Sequence, residues 1–351
     1  MAGGIPPILA RVLRGERIES AHRGHGAAVS SAGRLVASAG DPDAAVYLRS
    51  AAKPFQAMPL LEAGGERAFR LSSAEIALTC ASHGGEPRHV RVAARLLHRG
   101  GFTESDLCCG TNRPMHEASA RALWRLREAP TALHNNCSGK HAGLLLACRL
   151  FGFSPKGYQE VSHPIQREVL RRLSAWTSVP EGRIGIAVDG CSLPVFHLPL
   201  SALASGYARL VSPSAGPIAA RLTRAMWERP EMMAGAGRFT TDFLSAGRGR
   251  WIGKEGAEGV YAIGIRGVRA GEESVGLAFK IEDGSTRARD AVSLALLSRL
   301  RRLPRVLARR LEAYRDPPVK NARGFVVGRI EADAAPFARP DKMLRLRAQL
   351  S

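Results

Sequence analysis

No stretch of the 351-residue sequence approaches the ~20 uninterrupted apolar residues of a membrane span. Its opening, MAGGIPPILARVLRGER, lacks the cationic start, apolar stretch and cleavage site of a secretory leader. A cytoplasmic protein without membrane contact is the expectation. Cysteine is sparse: Cys80, Cys108, Cys109, Cys137, Cys148 and Cys191 have neither the density nor the spacing of a disulfide scaffold. That leaves reduced thiols or a metal site. Acidic residues are in deficit, 31 against 51 basic, for a formal charge of +20. Clustered cations would favour nucleic acid through counterion release. Here arginine is scattered over almost every segment, and the densest stretch, Arg287 to Arg315, alternates with Leu, Ala and Val as solvated faces of amphipathic helices do. No specific nucleic-acid partner is therefore expected. The scarcest charged residue is lysine, with only seven among the 51 basic residues: Lys53, Lys140, Lys156, Lys254, Lys280, Lys320 and Lys342. Where arginine is the ordinary surface cation, a lysine asks why guanidinium would not serve. An amine can lose its proton inside a pocket, and guanidinium effectively cannot.

What is present begins with 45% apolar residues, enough for a sizeable core. Residues 5–49 read as short strands and turns, with GAAVSS and RLVASA forming a hairpin around Ala32-Gly33. From Ser50 to about Arg229 apolar residues recur three and four apart in HVRVAARLLHR, ASARALWRLREA, GLLLACRLF and PIQREVLRRLSAW, the helical period. Ser72-Ser73 before AEIALTCA reads as an N-cap, and IGIAVDGCSLPVF breaks the helical block with a Gly-Cys turn. Strand-like runs return at GVYAIGI, SVGLAFKIEDG and GFVVGRIEA, with helices over about 287–302 and 305–314. Strands at both ends with helices between predict one discontinuous α/β domain. Residues 1–49 and about 234–351 form its sheet part and about 50–230 its mainly helical part.

The sharpest chemical signal is Tyr47-Leu48-Arg49-Ser50-Ala51-Ala52-Lys53-Pro54. Serine with lysine three residues on, at a helix start, puts hydroxyl and amine on one face, the S-x-x-K arrangement of serine acyltransferases and hydrolases. Standing alone, such a string is more often a serine cap with a solvated lysine. In CASHGGE, Ser82 offers a second active serine and His83 a base, and Gly84 lets backbone approach a ligand. The bland reading is a helix stop. HNNCSGKHAG spaces Cys137 and Lys140 on one side of a turn, and Cys191 in VDGCS offers a second sulfur. Two sulfurs, nitrogen and water make an acceptable zinc environment, and the alternative is a buried thiol beside a structural lysine. SGKH is not a phosphate-binding loop, because the glycine five residues before Gly139 is missing. Lys254 in GKEGAEG, ahead of a strand, is similar to the K-T-G element that completes S-x-x-K sites, and the bland reading is a surface turn. Lys280 and Asp283 read as strand-end and turn residues.

Together RSAAKPFQ, CASHGGE, NNCSGKHAG, VDGCSLPVF, GKEGAEGVY and KIEDG, over about residues 8–335, resemble L-asparaginases of the rhizobial, thermolabile type, the asparaginase II family with a serine–lysine site. The resemblance implies the fold of penicillin-binding proteins, serine β-lactamases and glutaminases, a mixed, mainly antiparallel sheet flanked by helices with a helical subdomain. It implies hydrolysis of L-asparagine to L-aspartate and ammonia through a serine acyl-enzyme, with Ser50–Lys53 and Ser82–Lys254 as two serine–lysine pairs and lysine as general base. It further implies zinc near Cys137, Lys140 and Cys191, with Arg49 and Asp189, besides His83 and Gly84, at the substrate, and a homodimer. Ser82-His83-Gly84 stands where β-lactamases carry S-D-N, and Glu255 replaces the threonine of K-T-G, so penicillin recognition is not expected. The rival readings are a Ser/Lys hydrolase of glutamine, a peptide or a β-lactam, a basic nucleic-acid-binding protein on a decayed hydrolase fold, and a zinc-binding structural module.

Overall fold

The computed structural model describes residues 4–269 and 271–339. Lys342 lies outside them. In chain order the strands are β1 (Ile8–Arg14), β2 (Arg17–Ser30), β3 (Leu35–Ala39), β4 (Ala45–Tyr47), β5 (Gly185–Val188), β6 (Pro194–Pro199), β7 (Trp251–Glu255), β8 (Val260–Ile265), β9 (Val275–Ile281), β10 (Pro318–Lys320) and β11 (Val326–Ala332). The chain forms two compact units. One comprises Met1–Val46, Leu198–Ser212 and Gly253–Ser351, the other Tyr47–His197 and Pro213–Ile252.

The first unit is built on a sheet ordered β10-β11-β1-β2-β9-β8-β7, with β3 also on β2. The pairs β1–β2, β1–β11, β2–β3, β2–β9 and β8–β9 are antiparallel. The hairpin around Ala32-Gly33 is as the sequence predicts. Strands β8 and β9 are apolar runs without alternation, and both are buried on nearly every residue, as strands covered on both faces are. Helix Arg289–Arg299 packs against β1, β8 and β11, and helix Leu200–Leu210 against β2, β8 and β9. The latter falls inside the sequence's helical block yet joins the sheet because Gly276 of β9 lets it approach. A Cβ there would stand 1.7 Å from the Ala204 carbonyl oxygen. The expected α/β class, an antiparallel sheet flanked by helices, is the architecture observed.

The second unit is helical around Ser138–Phe151, whose residues from Ser138 through Cys148 are all buried. A helix apolar nearly all round belongs at a centre. Helices Met58–Glu62, Ser73–Thr79 and Pro87–Arg99 pack on it. Helix Ser73–Thr79 starts where Ser72-Ser73 predicts. The Ser72 hydroxyl accepts from the Glu75 N–H and the Glu75 side chain accepts from the Ser72 N–H, a capping box. Close approach is again set by glycine: a Cβ on Gly139 would lie 2.3 Å from the Leu78 carbonyl oxygen. Only glycine lets the start of the Ser138–Phe151 helix lie against helix Ser73–Thr79 and the loop that follows it. Strands β5 and β6 pair as a hairpin, Ile186 opposite Phe196 and Val188 opposite Pro194, and its turn carries Asp189 and Cys191.

Candidate active site

Three segments of the helical unit converge. The first is the short turn of helix Arg49–Ala52, after which Lys53 opens helix Lys53–Gln56. Lys53 is 1% exposed. Its Nζ donates to the Ala81 carbonyl at 2.6 Å, approaches the Ser82 Oγ at 2.9 Å and reaches the Asn136 carbonyl at 3.5 Å. The sequence pairs this amine with Ser50, whereas its hydrogen bond in the structure is to Ser82. Lys53 carries a long side chain across to the loop after helix Ser73–Thr79, where two carbonyls and a hydroxyl converge. Nζ donates to all three oxygens, and its 2.9 Å contact with the Ser82 hydroxyl is a path along which a proton can pass between the two groups. The Ser50 hydroxyl is half-buried and, among the described residues, makes no hydrogen bond. The Ala51 N–H donates to the Leu48 carbonyl at 3.1 Å.

The second segment is the buried loop Ala81–Glu86. The Ser82 N–H donates to the Met233 carbonyl at 3.0 Å, and Arg238 donates to the Ser82 carbonyl at 2.8 Å. His83 is fully buried, and both ring nitrogens are engaged. Nδ1 accepts from the Gly85 N–H at 3.2 Å, so Nε2 carries the proton and donates to the Ser138 Oγ at 2.9 Å. Burial, followed by the neighbouring His89 and the Lys53 charge, holds its pKa well below the usual imidazole value. His83 is thus a neutral strut from the Ser82 loop to helix Ser138–Phe151. Gly84 faces protein, with the Ala234 carbonyl oxygen and the His116 Cβ each 3.3 Å from where a Cβ would sit.

The third segment brings Cys137, Lys140 and Cys191 together. Lys140 Nζ lies 3.1 Å from Cys191 Sγ, and Cys137 Sγ donates to Asn136 Oδ1 at 3.0 Å. A hydrogen bond from Cys191 pulls the Cys137 thiol well below its ordinary pKa despite burial, with help from the Lys53 and Lys140 charges. The Cys191 thiol is pushed up by that same bond and by burial. Burial works against the Lys140 ammonium, but the Cys137, Cys191 and Asp189 charges outweigh it and raise its pKa. Arg49 Nε donates to Asp189 Oδ1 at 2.9 Å. Arg49, beside Ser50, and Ser192, beside Cys191, hold left-handed backbone at φ +48° and +70°, strain of roughly 1–3 kcal/mol each that the surrounding structure must fix.

Lys254 belongs to the sheet unit, fully buried on β7, with Nζ donating to the Glu255 carbonyl at 2.9 Å. All six cysteines are free, as their spacing predicts. Asn136 and Arg238 touch this chemistry without having been singled out in the sequence. Asn136 stands inside the HNNCSGKHAG string, and its carbonyl was invisible as a ligand of Lys53. Arg238 carried no signal among so many arginines.

Residues 10–332 match L-asparaginase II. The chain belongs to that family. It is an L-asparaginase, an amidohydrolase of L-asparagine. No individually curated protein matches the chain. Among the described residues no three His, Cys, Asp or Glu side chains are grouped to hold an ion. The candidate set is instead two sulfurs and an amine. Two sulfurs and an amine, with a fourth position left for water or substrate, suit zinc provided that the metal displaces the proton that its neighbours hold on Lys140. Among the described residues no helix is long and apolar enough to cross a membrane.

Proposed function

We propose that this asparaginase works through a serine acyl-enzyme in which Lys53 is the general base and Ser50 the nucleophile. The observation that supports Lys53 as the base is its buried amine 2.9 Å from the Ser82 hydroxyl, with two carbonyls holding it, while the choice of Ser50 rests on its own unengaged hydroxyl. Ser82 is 5% exposed, which suits a proton carrier. Ser50 is half-buried and unengaged, which suits a group that must meet substrate. Ser50 Oγ attacks the side-chain amide carbon of L-asparagine while its proton passes to Lys53, directly or by way of Ser82. The proton then goes to the departing nitrogen, the C–N bond breaks and ammonia leaves. Water cleaves the aspartyl ester with Lys53 again as base, releasing aspartate and restoring Ser50.

Arg49 is assigned to the α-carboxylate and Asp189 to the α-ammonium. Their ion pair is the pre-formed couple that a zwitterionic amino acid would exchange partners with. Lys254 is assigned to proton handling with Ser82 on the strength of its string and its full burial. Zinc, where bound, would be held by Cys137, Lys140 and Cys191 and would supply a fixed positive charge that orients the substrate and lowers neighbouring pKa values. A homodimer completes this reading and follows from the resemblance alone.

The Lys53–Ser82 bond favours a second reading, in which Ser82 is the nucleophile. Ammonia release from L-asparagine by Ser50→Ala and Ser82→Ala, with mass spectrometry of enzyme trapped by an electrophilic asparagine analogue, separates the two. The label sits on Ser50 if the first reading holds. Near-wild-type turnover by Ser50→Ala would overturn it, as would a label on Ser82.

A further inference from the structure

A groove of about 740 Å³ in the helical unit is lined by Arg88, Arg91, Arg95 and Arg229 with His116, Glu86 and Glu231, over a floor that includes Val92 and Met232. None of these residues is assigned to the hydrolysis of asparagine. Three of the arginines come from helix Pro87–Arg99 at positions i, i+3 and i+7, which fall on one stripe of the helix surface and spread about 10 Å along its axis. The inner neighbour on that stripe, Val92, is buried, so the guanidinium groups stand along the rim of the groove.

The charge is only partly answered. Arg88 Nε pairs with Glu86 at 2.9 Å and Arg229 Nε with Glu231 at 2.7 Å. Glu86 is turned inward as well, its Oε1 accepting the Ala236 N–H at 2.8 Å. Arg91 and Arg95 are exposed and, among the described residues, have no carboxylate partner. Two adjacent, uncompensated guanidinium groups in a concavity repel each other at a cost that a bound anion would relieve.

We propose that this groove is a binding site for an extended oligophosphate, as found in inorganic tripolyphosphate or a nucleoside triphosphate. Guanidinium groups match phosphate oxygens in paired hydrogen bonds. A single carboxylate or phosphate engages one or two of the arginines, whereas linked phosphates reach along the whole row. The small dicarboxylate product of the enzyme is too short to do so.

The test is calorimetric titration of the full-length protein with inorganic tripolyphosphate at ~0.15 M salt, where long-range attraction to the excess positive charge is largely screened. Two double variants of equal charge loss are compared: Arg91→Ala/Arg95→Ala, and Arg305→Ala/Arg309→Ala on an exposed helix of the sheet unit. The expected result is saturable binding to the wild type, weakened at least about tenfold in the first variant and within twofold in the second. L-aspartate should bind far more weakly. Unchanged asparagine hydrolysis by the first variant shows that it has folded. Absence of saturable binding, equal losses in the two variants, or equal affinity for aspartate would each overturn the assignment.

Discussion

Lys53 and Lys140 are 1% and 3% exposed, so burial does not distinguish them; what separates them is the neighbours of each amine. Lys53 faces two carbonyls and a serine hydroxyl, groups that leave an amine free to exchange a proton. Lys140 faces sulfur, with two cysteines and Asp189 holding its charge in place. On the proposed mechanism the same residue type is a proton carrier in one place and a fixed donor or cation in the other. The two stand close enough for both charges to act on Cys137.

The strongest way to break that contrast is to remove each amine while keeping its length. Lys53→Met should lower kcat for asparagine by about 10³-fold or more with KM little changed, since a base acts in the transition state. Lys140→Met should leave measurable turnover and fail in another respect, losing at least about 10²-fold in zinc affinity, as Cys137→Ser should. Steady-state kinetics beside metal analysis of dialysed protein reads both. Equal kcat losses with no change in metal content would erase the distinction. Wild-type enzyme stripped by chelator should retain activity above that of Lys53→Met if zinc orients substrate and does not form the nucleophile.

The next effect concerns the packing that brings the two lysines to one place. Gly139→Ala puts a methyl 2.3 Å from the Leu78 carbonyl oxygen, and backbone on that side cannot yield as a flexible side chain could. A loss of roughly 1–3 kcal/mol is expected in chemical denaturation, together with reduced kcat, because the start of helix Ser138–Phe151 carries Lys140 and receives the His83 strut. Full stability in this variant would show that the close approach is not needed.

Much of this arrangement was open to reading in the chain, for reasons that differ by level. Helical periods survive in the sequence because one face is buried along a continuous segment, and Ser72 announces a helix start because its partner, Glu75, is three residues away. Cys137, Lys140 and Cys191 were legible as chemistry because thiols and lysines are rare here. Lys53's choice of Ser82 was not, because that contact joins residues 29 apart and depends on how a loop turns after Thr79. His83 looked like a base because its type suggests proton transfer, and only the structure, with Gly85 close by in the loop and Ser138 55 residues away, shows both nitrogens spent. Arg238 was hidden by abundance, and Gly139 looked like part of a motif when its local work is steric.

The smallest effect extends the comparison to a buried group of opposite sign. Glu75 is fully buried. Burial opposes its charge, but Arg99 at 2.6 Å and the Ser72 hydroxyl and N–H at 2.7 and 2.8 Å outweigh it and lower its pKa. A carboxylate whose folded pKa lies below its unfolded one binds fewer protons when folded. Its stabilisation is therefore complete above the ordinary glutamate value and is lost as pH falls through the lowered one. Glu75→Gln keeps the shape and removes the titration. The melting temperature of the wild type should exceed that of the variant by a constant margin above about pH 5, and the two curves should converge as the pH drops below 4. A margin that persisted into strong acid would mean that Glu75 contributes through packing. Its charge would then be held no more specifically than the scattered arginines on the surface.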